Sequence, residues 1–158
     1  MFYAECRNRS KFLLLFAVVA VAVSFFAACG HSTEAFIAKG EEYLAKRKFN
    51  DALMQFRAAV ESDGSSSRAH WGLARAYENL GEFDEAFNEL RKATELDPNN
   101  LDAQARLGNY FLLVKPPLVS EAEKVRDLIA KKDPKFIEGV VLEASILNAS
   151  GRGEDEVV

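Results

Sequence analysis

The stretch Ser67–Asn100, with the sequence SRAHWGLARAYENLGEFDEAFNELRKATELDPNN, decides the fold of this chain. Small, aliphatic and aromatic side chains recur in it at helical spacing, and Gly81 separates two such runs. The first run contains Leu73, Ala74 and Tyr77, and the second contains Phe83, Ala86, Leu90 and Ala93. The second run ends at Asp97-Pro98, because proline lacks an N–H and disfavours helix in the residue before it. The pattern predicts two short amphipathic helices joined by a tight turn.

The same positions recur 34 residues away in both directions. Towards the N-terminus, the equivalents are Gly40, Tyr43, Phe49, Ala52, Phe56 and Ala59. Towards the C-terminus, they are Leu107, Gly108 and Phe111. Six positions that share one period indicate tandem units, each of which is too small to bury a core without its neighbours.

On these residues the unit resembles a tetratricopeptide repeat (TPR). The resemblance implies an all-α, helix-turn-helix solenoid of about three and a half repeats. We expect the repeats at about 33–66, 67–100 and 101–136, with a partial repeat at 137–158. The resemblance also implies repeat-packing roles for Gly40, Tyr43, Ala52, Ala74, Tyr77, Ala86, Gly108 and Phe111.

Capping residues and breakers predict where the other helices begin and end. The expected helices are Thr33–Lys46, Phe49–Glu61, Leu101–Val114, Leu118–Lys132 and Lys135–Ser150. Two inserted residues are expected at Lys115–Pro117, since later landmarks come 36 rather than 34 residues after their counterparts. The last helix is expected to turn Val140, Ala144 and Leu147 inward. Nothing after Gly151 resembles its partner helix, so we expect either a fragment of a longer array or an end that another molecule covers.

An apolar run, residues 12–28, follows Arg7, Arg9 and Lys11 near the N-terminus. It ends in Phe26-Ala27-Ala28-Cys29-Gly30, which resembles the lipobox of bacterial lipoproteins, although that family usually has Leu where Phe26 stands. The resemblance implies a signal peptide at 1–28, an acylated Cys29 that becomes the first mature residue, and a tether at 29–32. An uncleaved signal anchor and simple secretion are the alternatives. The expected location is the bacterial cell envelope, lipid-anchored and facing the periplasm or exterior, in either membrane.

Composition and residue types exclude several classes of function. The 158 residues carry a net charge of −4, and without residues 1–28 the body has 17 basic and 23 acidic residues. This balance argues against nucleic acid as the partner. With Cys6 and Cys29 as the only cysteines, and His31 and His70 as the only histidines, we expect no catalytic set, cofactor, metal site or small-molecule substrate.

The TPR resemblance implies that the first helices of the repeats line a concave surface that binds protein partners. The predicted partner-binding residues are Arg68, Trp71, Arg75, Glu78, Asn109 and Leu112. The same face would carry Glu34, Ile37, Glu41, Leu44, Asn79, Asp102, Ala105 and Leu113. The row of Lys and Asn with which TPR partners of chaperones clamp a C-terminal carboxylate is missing, so that specificity is not expected.

The sequence leaves open which of two neighbouring residues, His70 or Trp71, lies in the core. We expect His70 to be packed and hydrogen-bonded rather than a ligand. Trp71 stands one residue after the position where the family keeps its large aromatic residue. It either replaces that packing or anchors a partner on the floor of the groove, since Trp is frequent in binding hot spots.

The predicted function is therefore a membrane-anchored scaffold of the bacterial cell envelope that binds other proteins. The alternative is the N-terminal piece of a longer repeat protein whose activity lies in downstream repeats or domains.

Overall fold

The computed structural model describes residues 33–151. The predicted signal peptide, Cys29 with its tether, and residues 152–158 of the partial repeat lie outside the described residues. Residues 33–151 form seven helices and no strand, which confirms the predicted all-α fold. The helices are α1 (33–45), α2 (Phe49–Ser62), α3 (Ser67–Leu80), α4 (Phe83–Leu96), α5 (Leu101–Leu113), α6 (Val119–Lys132) and α7 (Ile137–Ala149). None of these helices has the length and apolarity that crossing a bilayer requires.

The loops that connect one repeat to the next share a turn built on aspartate. The carboxylate oxygens of Asp63, Asp97 and Asp133 each accept a hydrogen bond from the backbone N–H two residues further on, at 2.9, 2.9 and 3.0 Å. Such a turn competes with helical hydrogen bonding and starts the next helix a few residues later. For this reason α7 begins at Ile137, whereas the sequence predicted a start at Lys135.

The turns inside the first two repeats require a left-handed backbone conformation. Gly81 has a φ of 80°, and it follows α3. At the equivalent position after α1, Arg47 has a φ of 57°, where an L-residue with a side chain is disfavoured. The first repeat therefore makes the same turn as the second at a conformational cost that glycine would avoid.

The interior divides into two apolar cores along the solenoid. The first core is built around the fully buried ring of Phe56, which packs between α1 and α3. The second core lies between α5, α6 and α7 and contains Ile129, Leu142 and Ile146. Phe111 packs against both cores and makes them continuous.

The inward face predicted for α7 is wrong. Val140 and Ala144 are exposed and Leu147 is half-buried, whereas Gly139, Leu142 and Ile146 are buried against α5 and α6. The equivalent of Val140 in the second repeat, His70, contacts Glu89 on the second helix of its own repeat. No such helix follows α7 within the described residues, so its Val140 face has nothing there to pack against.

Candidate functional site

The first helices of successive repeats, α1, α3, α5 and α7, line one side of the solenoid, which we call the inner groove. Its polar surface is formed by Glu34, Glu41, Arg68, Arg75, Glu78, Asp102, Arg106, Asn109 and Glu138. Trp71, Ala105, Ile137 and Val141 form its apolar part. The groove is thus a mixed surface, with charged rows at its sides and an apolar patch between α3, α5 and α7.

Ion pairs join neighbouring first helices across the inner groove. The Arg75 guanidinium donates to both carboxylate oxygens of Glu41, at 2.8 and 3.0 Å, and Arg68 donates to Glu34. The two residues of each pair lie 34 positions apart, because they occupy the same position in successive repeats. Since these pairs are partly exposed, each contributes about 1 kcal/mol or less to stability, and their main effect is to neutralise the arginines.

A third pair continues the row with a different spacing. The Arg106 Nε of α5 lies 3.6 Å from the Glu78 Oε1 of α3. Burial raises the pKa of Glu78, while the charge of Arg106 opposes that rise. All three arginines of the inner groove within residues 33–151 thus face a carboxylate.

Trp71 and His70 lie side by side in sequence but face different parts of the molecule. His70 is 3% exposed. Its Nδ1 lies within hydrogen-bonding distance of the Glu89 carboxylate, and its Nε2 lies 3.1 Å from the carbonyl oxygen of Gly64. Trp71 is half-buried, packs against the edge of the first core, and has the Arg75 guanidinium 5.7 Å from its ring centroid. Trp71 therefore does not take over the interior position, which His70 keeps.

The part of the inner groove next to Trp71 is a cleft of about 310 Å³, which we call the Trp71 cleft. Trp71 of α3, Ala105 of α5 and Val141 of α7 contribute to its lining. Ile137, which also lines the cleft, is 73% exposed and Val141 is 54% exposed. Asp102, Arg106, Asn109 and Glu138 complete the lining. The cleft combines apolar surface with a few polar groups, as sites for small ligands or side chains do.

Several other residues predicted for this face lie in or against the apolar cores. Ile37 and Leu44 are buried in the first core and Ala105 in the second, so the first two belong to packing rather than to the groove. Leu112 is half-buried and packs against the second core. Asn79 and Asn109 donate to the backbone carbonyls of Arg75 and Ala105, four residues earlier in their own helices.

A second cleft, of about 370 Å³, lies near the start of α4 and the end of α5. Its lining includes Phe83, Phe87, Leu113 and Val114, and Leu113 is 71% exposed. Tyr110 lines the same cleft, and its hydroxyl lies near the Glu78 carboxylate without good hydrogen-bonding geometry. Burial and the charge of Glu78 raise the pKa of Tyr110 to about 12, so the hydroxyl stays protonated.

Sequence reasoning missed four residues of the Trp71 cleft: Arg106, Ile137, Glu138 and Val141. The signal for two of them was present in the repeat spacing. Positions 34, 68 and 102 are equivalent, and the 36-residue shift that the inserted loop imposes extends this row to Glu138. The same shift leads from Ala105 to Val141. Arg106 had no such signal, because its equivalent in the second repeat is the buried Gly72.

Comparisons with known proteins agree with this architecture. The tetratricopeptide-repeat family model matches residues 37–100. Hsp70-Hsp90 organizing protein 2 of Arabidopsis thaliana is 25% identical over 119 residues, which is 73% of this chain and 20% of that protein. DnaJ homolog subfamily C member 3 of Rattus norvegicus is 28% identical over 146 residues, which is 90% of this chain and 29% of that protein. This chain therefore spans less than a third of either relative.

Solved structures give the same answer for the fold. The first TPR of Spaghetti (RPAP3), solved bound to the HSP90 peptide SRMEEVD, superimposes with a TM-score of 0.68 at 22% identity. The match covers 77% of this chain and 94% of that one. Together with the helix pairs, the left-handed turns and the Asx turns between repeats, these matches lead to one conclusion: residues 33–151 have the all-α fold of tetratricopeptide repeats, and residues 37–100 match that family's model.

Proposed function

We propose that this protein is a membrane-anchored scaffold of the bacterial cell envelope and that its inner groove binds a segment of another protein. The observation that carries the binding role is the Trp71 cleft, where a tryptophan, an exposed isoleucine and an exposed valine face one groove. Exposed apolar surface with a polar rim is typical of protein-binding sites. Relatives that organise chaperones and a TPR structure with a bound peptide support the same role.

The acidic peptide of that related structure is not proposed as the ligand here. Arg68, Arg75 and Arg106 are the cations of the inner groove, and each already faces a carboxylate of this chain. An incoming carboxylate would have to displace Glu34, Glu41 or Glu78 from its partner. The groove therefore lacks a ready cationic site for an acidic chain end.

The anchoring part of the proposal rests on the sequence around Cys29. The apolar run, the small residues before the cysteine and the glycine after it resemble a lipobox, with Phe26 in place of the usual Leu. Acyl chains on Cys29 would hold the domain near the bilayer surface, since each buried CH₂ contributes about 0.8 kcal/mol. The tether from Gly30 to Ser32 is short, so the first helix would begin close to the headgroups.

Site-specific photo-crosslinking tests the binding role. A benzoylphenylalanine placed at Asn109 in the groove should capture a protein partner in the native cell. The matched control is Met54, which is 69% exposed on α2, a second helix, and should capture none. Trp71→Ala should remove the Asn109 adduct while the domain still folds. Equal adducts from both positions, or an Asn109 adduct that survives Trp71→Ala, would refute the groove as the binding site.

Metabolic labelling tests the anchor. In a bacterial host, an alkyne-tagged fatty acid should label the full-length chain, and Cys29→Ser should abolish the label. Cys6→Ser changes the other cysteine of the chain and should leave the label intact. Label that persists in Cys29→Ser would contradict acylation at this residue.

A further inference from the structure

The Trp71 cleft carries an unbalanced charge. Among the described residues, Asp102 and Glu138 line the cleft and form no ion pair, whereas the arginine in its wall, Arg106, lies 3.6 Å from Glu78. Asp102 lies in the first turn of α5 and Glu138 in the first turn of α7. Two negative charges therefore border an apolar surface.

The two acidic residues of the cleft come from two different helices. Asp102 and Ala105 come from α5, and Ile137, Glu138 and Val141 come from α7. Trp71 closes the cleft from α3, with Arg75 against its ring. A side chain that enters the cleft would thus meet one carboxylate from α5 and one from α7 in the lining around it.

From this arrangement we infer that the Trp71 cleft binds a partner segment in which an apolar side chain stands next to lysine or arginine. The apolar side chain would pack between Trp71, Ala105 and Val141, and the cation would lie between Asp102 and Glu138. A volume of about 310 Å³ suits one or two side chains of an extended or helical segment. An acidic segment would meet two uncompensated carboxylates, and such like-charge contacts exclude wrong partners. This inference rests on the proposed role of the inner groove and adds the chemistry of its ligand.

A peptide selection tests the inference directly. Random twelve-residue peptides displayed on phage are selected against the full-length chain in detergent micelles. The enriched peptides should share an apolar residue next to lysine or arginine. The best enriched peptide is then made synthetically with a fluorescent label, and its Kd is measured by anisotropy.

Two pairs of charge-neutralising substitutions give the decisive comparison. Asp102→Asn with Glu138→Gln should weaken binding of the enriched peptide about tenfold, and high salt should weaken wild-type binding in the same direction. Glu61→Gln with Glu85→Gln removes the same amount of charge from exposed positions on α2 and α4 and should change the Kd less than about twofold. Circular dichroism verifies that both double variants remain helical.

The outcomes separate this inference from the function on which it rests. Enriched peptides that require Trp71 but are acidic or uncharged would overturn the inference and leave groove binding intact. An unchanged Kd in the Asp102→Asn, Glu138→Gln variant would overturn it as well. Peptides that bind Trp71→Ala as well as wild type, or no enriched peptide, would refute both the inference and groove binding.

Discussion

The ring of Phe56 occupies the space that a Cβ atom on Gly72 would need. A Cβ built on Gly72 would lie 2.1 Å from Cε1 of Phe56, and one built on Gly40 would lie 2.7 Å from Cζ of the same ring. The aromatic ring of α2 is thus clamped between two helices, α1 and α3, at points where neither has a side chain. This contact joins the first repeat to the second.

Gly72→Ala should therefore destabilise the domain, because backbone or ring must move to admit one methyl group. Overpacking of this kind costs about 1–3 kcal/mol, occasionally more. The measurement is the free energy of unfolding in urea. Gly64→Ala is the matched control, since the nearest atom to its Cβ is a carbonyl oxygen 3.8 Å away, and it should leave stability nearly unchanged. An unfolding midpoint for Gly72→Ala equal to that of wild type would contradict the observed packing.

Arg47→Gly should stabilise the first repeat. Arg47 has a φ of 57°, a conformation that costs a residue with a side chain about 1–2 kcal/mol. Glycine removes that strain but loses more backbone entropy on folding, which leaves a gain of about 0.5–1 kcal/mol. The reverse change at the equivalent turn, Gly81→Ala, should destabilise by a similar amount. If Arg47→Gly and Gly81→Ala shift the melting temperature in the same direction, the left-handed conformation of the turn does not explain the change in stability.

The two faces of α7 should respond differently to truncation. Leu142 is fully buried, and its Cδ2 would lie 2.6 Å from a Cβ on Gly108, so Leu142→Ala should cost about 2–5 kcal/mol. Val140 is 58% exposed, and Val140→Ala should cost less than about 0.5 kcal/mol. Thermal and urea unfolding of both variants decide between the face observed here and the one predicted from sequence. A larger loss for Val140→Ala would restore the predicted face.

The contact between His70 and Glu89 should make stability depend on pH. The hydrogen bond to Glu89 outweighs burial and raises the pKa of His70, and the Gly64 carbonyl adds to the rise. Burial alone would raise the pKa of the Glu89 carboxyl. The hydrogen bonds from His70 and Lys92 outweigh burial, so the pKa of Glu89 is lowered. The positive charge of Lys92 opposes the rise in the pKa of His70, and the nearby Asp63 carboxylate also interacts with the charge of His70.

The direction of the pH effect follows from these shifts. A raised histidine pKa stabilises the fold fully below the histidine's unfolded pKa and ceases to do so as pH rises through its folded pKa. His70→Gln introduces the residue found at the equivalent position 104. This substitution should lower the free energy of unfolding by about 2 kcal/mol at pH 6. The difference from wild type should shrink at pH 9. A difference that stays constant or grows towards pH 9 would show that the imidazolium contributes nothing.

Much of this architecture follows from the spacing of a few residue types. The bounds predicted for five helices, α1, α2, α5, α6 and α7, lie within two residues of the observed ones, because residues such as Asp63, Asp97 and Asp133 have a strong local effect on the backbone. The face of α7 could not be predicted in this way. Its apolar residues surround the helix, so periodicity does not select a side, and tertiary contacts with α5 and α6 do.

The candidate site was only partly accessible to the same reasoning. Helical spacing placed Trp71, Arg75 and Glu78 on one face, and the structure shows the Arg75 guanidinium near the Trp71 ring. Whether Trp71 or His70 is buried depends on Glu89, which lies on another helix and accepts the hydrogen bond that keeps His70 inside. The contribution of α7 to the cleft likewise depends on how two repeats pack, which residue spacing within one helix does not contain.

The charges of the ion pairs at 34-residue spacing specify the order of the repeats. Arg68 and Arg75 pair with acidic residues at the same positions of the preceding repeat. A tandem duplication of residues 67–100 would place arginine beside arginine at both positions, and the two copies would repel each other. The alternation of sign therefore disfavours a duplicated copy of this repeat beside the original.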